Sequence, residues 1–308
     1  MRAVQSTRER RPPGGARERR RERLIAISFL LPAVILVGGL IYVPMGRAVY
    51  DSFFATEMFS PQPQFVGLEQ YADNLRTSTF WAVVRNSVVW TVLVVLLQNV
   101  AGLAIAVLLN QNLRFLGLTR TLLLVPWVLP GIVAALLWRF MYDPQLGLVN
   151  ALLNSAGIIS KNVAWLGQPT TALAAVILAA VWKGFPFSMI VYLAALQTVD
   201  RDQVEAAMID GAKAWQRFRY VVVPSIAGII RLNLILTTIF TFNYFDLIWV
   251  TTQGGPLNST HIFPTYIFEL GFGEFQYGDA SVYGVIAALT MLVVAFLYIR
   301  ELRPQGAR

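Results

Sequence analysis

The chain has 308 residues, 56% of them hydrophobic and only 14% charged, with a formal net charge of +8. Soluble domains carry about 25% charged residues, so a disordered chain, a coiled coil and an ordinary soluble enzyme are excluded. With no cysteine and a single histidine, His261, disulfide frameworks, thiolate metal sites and paired catalytic histidines are excluded as well.

The first 23 residues hold nine Arg. An Arg-rich segment ahead of an apolar run reads as a topology anchor rather than a nucleic-acid arm. The pairs Arg10-Arg11 and Arg19-Arg20 also invite comparison with a twin-Arg export signal. The apolar run behind them is too long and lacks a small-residue cleavage site, so it reads as an uncleaved membrane helix.

A bilayer core takes about 20 mostly apolar residues in a helix. Six stretches qualify: Leu24 to Met45, Val88 to Leu109, Leu118 to Tyr142, Thr171 to Thr198, Ile226 to Thr251 and Ser281 to Ile299. Pro126 and Pro130 fall in the third and Pro186 in the fourth, which membrane helices tolerate when neighbours satisfy the freed backbone groups. The basic residues sort between alternate loops. Eighteen lie in the N-terminal segment, the loops after spans two and four and the C-terminal segment, Arg114, Arg303 and Arg308 among them; four lie in the opposite loops. The positive-inside rule then puts both termini in the cytoplasm. The expected fold is all-α, a polytopic membrane protein with six transmembrane helices. The expected organisation is an Arg-rich tail over 1–23, a membrane domain over 24–303 with its core around 86–299, and a short tail over 304–308.

Between the first two spans, residues 47–85 form a long segment with Pro61, Pro63 and Gly67. Residues 143–170 carry Asn150-Ala-Leu-Leu and Trp165-Leu-Gly, a pattern of short amphipathic helices with Trp165 as an interfacial anchor. Residues 252–280 open on Gly254-Gly255-Pro256, a turn signal, and hold Glu269, Glu274 and Asp279 with no basic companion.

The loop over 199–224 is the most informative. Asp200 with Gln203 resembles a capping pair, and Val204, Ala207 and Met208 fall on one face of a short helix that Gly211 can end. A second short helix carries Ala214, Trp215 and Phe218, and Pro224 opens the fifth span. One reading is a pair of interfacial helices covering the bundle. The other is a docking element, with Ala206 and Ala207 allowing close approach and Glu205 and Asp210 offering charge-assisted bonds.

The sequence Glu205-Ala206-Ala207, with Asp210, Gly211 and Pro224 at their spacings, resembles the EAA loop of ATP-binding-cassette (ABC) importer permeases. Trp182-Lys-Gly-Phe-Pro-Phe187, Ala195-Leu-Gln197, Phe245-Asp246 and Thr251-Thr-Gln-Gly-Gly-Pro256 resemble the carbohydrate-uptake type, specifically the first of two paired permeases, MalF-like or UgpA-like. Gln253 departs from the pattern, standing where Gly is common. The resemblance implies the type I (MetI-like) permease fold in a bacterial cell membrane. It implies a heterodimer with a second permease, two copies of a cytoplasmic ATPase and an external binding protein that delivers a sugar. No phosphate-binding G-x-x-x-x-G-K-[ST] loop is present, so no cofactor is expected on this chain and ATP with Mg is expected on the partner ATPase. No nucleic-acid partner is expected, and the lipid bilayer is.

Thr237, Phe240, Thr241 and Tyr244 fall at i, i+3, i+4 and i+7, one helix face. The resemblance implies that this face, with Gly184 and Phe187 of the fourth span, lines the substrate path; the alternative is packing between helices. Lys183 stands mid-span and keeps two readings: an anion contact, which would suit a glycerol-3-phosphate-type or other phosphorylated polyol substrate, or a structural role as an internal ion pair or in a kinked, water-exposed segment beside Pro186. A membrane glycosyltransferase with Asp200-x-Asp202 as metal motif is the competing class, but capping already explains Asp200. A secondary transporter would need an internal repeat, and none is apparent.

Overall fold

The computed structural model describes residues 16–55, 63–111 and 116–302. The start of the Arg-rich segment, Pro61, Arg114, Arg303, Arg308 and the tail over 304–308 lie outside the described residues. The chain divides into two units, residues 1–51 and 52–308.

In the first unit, helix α1 (Ala16–Val37) passes through a π turn at Gly38–Tyr42 into α2 (Val43–Asp51). The helix begins inside the stretch expected as a tail, and Arg47 closes its last turn on Asp51 at 2.9 Å. Its apolar side chains are exposed, Phe29 at 82%.

The second unit opens with a two-residue ribbon, β1 (Phe54–Ala55) antiparallel to β2 (Gln64–Phe65), and α3 (Glu69–Arg76). Helix α4 (Ser78–Leu109) starts ten residues before the expected Val88, because the Thr77 hydroxyl accepts from the Phe80 amide at 3.2 Å and caps it there. The expected third span is not one rod. It is α5 (Leu116–Val128) and α6 (Gly131–Met141), bent by 95°. Pro130 has an extended ψ of 144° and no amide hydrogen, so the helical ladder stops at it.

Helix α7 (Leu148–Ser155) follows, and then α8 (Ala172–Leu196), α9 (Arg201–Ile209), α10 (Ala214–Arg217), a π turn at Phe218–Val222 and α11 (Val223–Ser225). The expected fifth span is also interrupted, as α12 (Ala227–Phe242) and α13 (Asp246–Thr252). Helices α14 (Phe263–Phe268) and α15 (Tyr277–Leu302) complete the chain. Among the described residues, five helical runs are long and apolar enough to cross a bilayer, and the bent pair α5–α6 would make a sixth.

Helices α4, α8 and α12 form the centre. Gly102 lets α4 meet α8 backbone to backbone: a Cβ there would stand 2.6 Å from Ser188 Cβ and 2.8 Å from the Met189 amide nitrogen. Around this crossing, Asn233 donates to Asn99 Oδ1 at 2.7 Å and to Ser188 Oγ at 3.1 Å, Asn99 donates to Thr237 Oγ1 at 3.1 Å, and Tyr192 donates to Asn99. Apolar packing flanks the network, with Trp90, Val176, Leu247 and Ile248 on one side and Met189, Tyr192 and Ile226 on the other. Trp165 donates to Asn150 Oδ1 at 2.9 Å and packs half-buried on the core.

Candidate functional site

One cleft draws together the substrate-path residues singled out in the sequence, and a second is bordered by Glu205 alone of the six coupling-loop residues. The first, about 410 Å³, is bordered by all six of Gly184, Phe187, Thr237, Phe240, Thr241 and Tyr244. It opens beside both interrupted spans, the place where irregular backbone at membrane depth is tolerated because it lines a cavity. Its walls are largely aromatic. Phe187 faces Trp127 and Phe240, with ring centroids 6.1 and 6.3 Å apart, and Trp90 backs Tyr244 at 6.0 Å. Phe240 is 60% exposed toward the opening.

Thr237 stands apart from the others. Its hydroxyl donates to Asn233 O at 2.7 Å and accepts from Asn99, so it belongs to the buried network as much as to the wall. Gln98, Trp127 and Lys183 border the same cleft. Gln98 and Trp127 were not among the residues singled out in the sequence; Gln98 shares one buried face of α4 with Ser87, Thr91 and Gly102, a spacing that marks the inward side, whereas Trp127 stands in an apolar stretch without such a mark. Gln98 lies so close to Gly184 that a Cβ on Gly184 would overlap its side-chain oxygen. Lys183 Nζ donates to Leu129 O at 2.7 Å. It does not hang free in the opening.

The second cleft, about 470 Å³, lies under α9 and is bordered by Glu205, Val204, Met208, Arg201, Gln197 and Val222, among others. The sequence builds α9 with a cap at each end. The Asp200 carboxylate accepts from the Asp202 amide at 3.0 Å. At the other end Gly211 has φ +80°, its amide bonds Met208 O at 3.0 Å, and the Ala212 amide bonds Ala207 O at 2.9 Å, a complete Schellman motif. Of the expected apolar face, Val204 and Ala207 are half-buried against the chain while Met208 is exposed. Glu205, Ala206 and Asp210 point outward, with Ile209 87% and Trp215 69% exposed beside them. Arg217 ties α10 back to the turn through Ala212 O at 2.6 Å. Pro224 lies in α11, one break before α12, rather than at the start of the span itself.

The Gly-Gly-Pro loop is held from α4. Asn86 Nδ2 donates to the carbonyls of Asn258, Ser259 and His261 at 3.1–3.2 Å. Gln253, the departure from the family pattern, sits at φ +50° and ends α13, a left-handed position that explains why Gly suits it. His261 is buried against the Gly254 backbone, shares a 3.2 Å hydrogen bond with Thr265 and meets Tyr266 edge-on. Burial pushes its pKa down to about 4.

The family model described as binding-protein-dependent transport system inner membrane component matches residues 98–301, which include α9 and every residue bordering the first cleft except Val94. The chain is 35% identical over 274 residues to the trehalose/maltose transport system permease protein MalF of Thermococcus litoralis, covering 89% of this chain and 91% of that one. It is 35% identical over 285 residues to the sulfoquinovosyl glycerol transport system permease protein SmoG of Agrobacterium fabrum, covering 92% and 91%. Its fold is similar to a chain of the bacterial alginate ABC transporter solved in complex with an alginate pentasaccharide-bound periplasmic protein, with a TM-score of 0.79, 22% identity and coverage of 93% and 96%.

Proposed function

Because the chain belongs to the binding-protein-dependent transport system inner membrane components, we propose that it is the membrane-spanning subunit of an ATP-driven importer that carries a sugar. In this reading it forms the translocation path with a second permease, receives substrate from an external binding protein and holds both termini in the cytoplasm. It is a transport subunit, and ATP with Mg is bound by two copies of a partner ATPase.

The observation that carries the reading is that one family match, over residues 98–301, contains the exposed, doubly capped α9 and all but Val94 of the residues bordering the aromatic cleft. Sugars are neutral polyols with apolar ring faces. Phe187, Phe240, Trp127 and Tyr244 suit the faces, and Gln98 and Thr241 suit the hydroxyls. The relatives' substrates, trehalose/maltose and sulfoquinovosyl glycerol, support the class. Outward-pointing Glu205 and Asp210, with Ile209 and Trp215 beside them, suit an ATPase surface that would move α9 as it closes, rocking the spans as rigid bodies. A second reading, a phosphorylated or otherwise acidic polyol, is favoured by Lys183 at the cleft wall.

The test is co-purification and uptake in the assembled transporter. Glu205→Lys should abolish both sugar uptake and retention of the ATPase while the chain still inserts. Normal uptake with the ATPase bound would remove α9 from the coupling role.

A further inference from the structure

Breaking a membrane helix leaves orphan carbonyls on one side and orphan amides on the other, and both must be satisfied inside the protein. At the break between α5 and α6 the carbonyl end is the C-terminus of α5, where Lys183 of α8 donates to Leu129 O at 2.7 Å. The amide end is Gly131, first residue of α6. There the side chain of Asp246, first residue of α13, lies so close that a Cβ on Gly131 would stand 2.7 Å from its Oδ2. The signs match the helix dipoles, a cation on the C-terminal carbonyl end and an anion on the N-terminal amide end. The two side chains also lie within electrostatic reach of each other.

We propose that Lys183 and Asp246 are positioning residues that hold the 95° bend of the third span from its two ends, through the helix termini and not merely as an ion pair. The charge at the cleft wall then serves the wall. Asp246 also begins α13, the continuation of the other interrupted span, so the same carboxylate fixes where α13 meets α6. Both breaks that frame the cleft are thereby locked to α8, the helix that carries Lys183, Gly184 and Phe187.

The absence of cysteine makes the bend measurable. Leu122 and Leu136 are exposed, one on each half of the broken span. A straight helix would separate them by about 21 Å along its axis at 1.5 Å per residue, and the bend brings them closer. With Leu122→Cys and Leu136→Cys spin-labelled in the full chain in nanodiscs, electron–electron distance measurement should give one short, narrow distribution. Lys183→Met and Asp246→Asn should each lengthen or broaden it, and Lys183→Arg, which keeps the donor and the charge, should preserve it. The exchanged pair Lys183→Asp with Asp246→Lys decides the mechanism. A simple ion pair would recover the parental distribution, whereas wrong-signed charges at both helix ends should leave it as perturbed as either single change. Unchanged distributions in both single variants, or recovery in the exchanged pair, would overturn the proposal. The readout needs neither substrate nor ATPase, so it stands apart from the transport reading.

Discussion

Asn233 on α12 donates to Asn99 Oδ1 on α4 at 2.7 Å, and a Tyr192 hydroxyl from α8 converges on the same oxygen. One buried side-chain oxygen therefore receives donors from two further helices. In lipid this matters more than apolar contact, because lipid tails solvate Leu as well as another helix does, and small residues and interhelical hydrogen bonds set the packing. Gly102 supplies the close approach and the Asn99 network supplies the register.

Replacing Asn99 by Val should therefore loosen all three helices together. It removes the acceptor for Asn233 and Tyr192 and the donor to Thr237. The expected loss is about 1–2 kcal/mol, the range found for interhelical bonds in membranes, read as a lowered midpoint in denaturation from mixed micelles. The apolar exchange Leu297→Val on the exposed face of α15 should have little effect. If both behave alike, the network carries no special share of the packing.

Gly184 and Gln98 make a second prediction. A Cβ on Gly184 would overlap Gln98 Oε1, but that is the end of a flexible side chain, so Gly184→Ala should fold with Gln98 turned aside. Uptake should then show a KM raised several-fold to tenfold, about 1.4 kcal/mol for the latter, with the ATPase still retained. Since the change acts through Gln98, the double variant with Gln98→Ala should be no worse than Gln98→Ala alone. Additive losses would show that Gly184 acts by another route.

Much of this was legible in the sequence, for physical reasons that also set the limit. Apolar runs of membrane length located the helices, and the 3.6-residue spacing put Thr237, Phe240 and Thr241 on one face of α12, which borders the first cleft; Tyr244 joins them from the break after α12, where the helical period no longer holds. Gly211 announced its left-handed turn. What stayed hidden was where two spans break. Pro126 and Pro130 both stood in the third span, yet only Pro130 stops its helix, since Pro126 continues inside α5. By the proposal above, Lys183 and Asp246 hold that break, and no local pattern records their nearness to it. Gln98 was legible in principle, since Ser87, Thr91, Gln98 and Gly102 share one face of α4 and that face is the buried one. What the spacing does not record is which side chains of other helices those groups meet.

The α9 cap gives a third prediction. Gly211 sits at φ +80° and its amide donates to Met208 O. Gly211→Ala meets only the left-handed strain, roughly 1–2 kcal/mol, with open space around the new Cβ. Gly211→Pro loses the amide donor and cannot adopt that φ. ATPase retained per permease should therefore fall in the order Gly, Ala, Pro, with Ala partial and Pro near zero. Equal retention in all three would mean that the end of α9 does not shape the docking surface.

His261 provides the pH test. Its ring is buried between Gly254, Thr265 and Tyr266, and burial holds its pKa at about 4, below the ordinary 6.5. A base whose folded pKa is depressed binds fewer protons folded than unfolded. Stability is thus unaffected above about pH 6.5 and falls as pH drops from 6.5 toward 4, after which the loss levels off. The full loss is roughly 3 kcal/mol by the conversion of pKa shift to free energy. The loop holding His261 is anchored on α4 through Asn86, so the strain should report in global unfolding and not only locally. Denaturation midpoints measured from pH 7.5 to 4 should diverge between the parent chain and His261→Gln. The parent should be the more stable at neutral pH, and the gap should close or reverse in acid. Parallel curves across the whole range would show that His261 is not held neutral by its site.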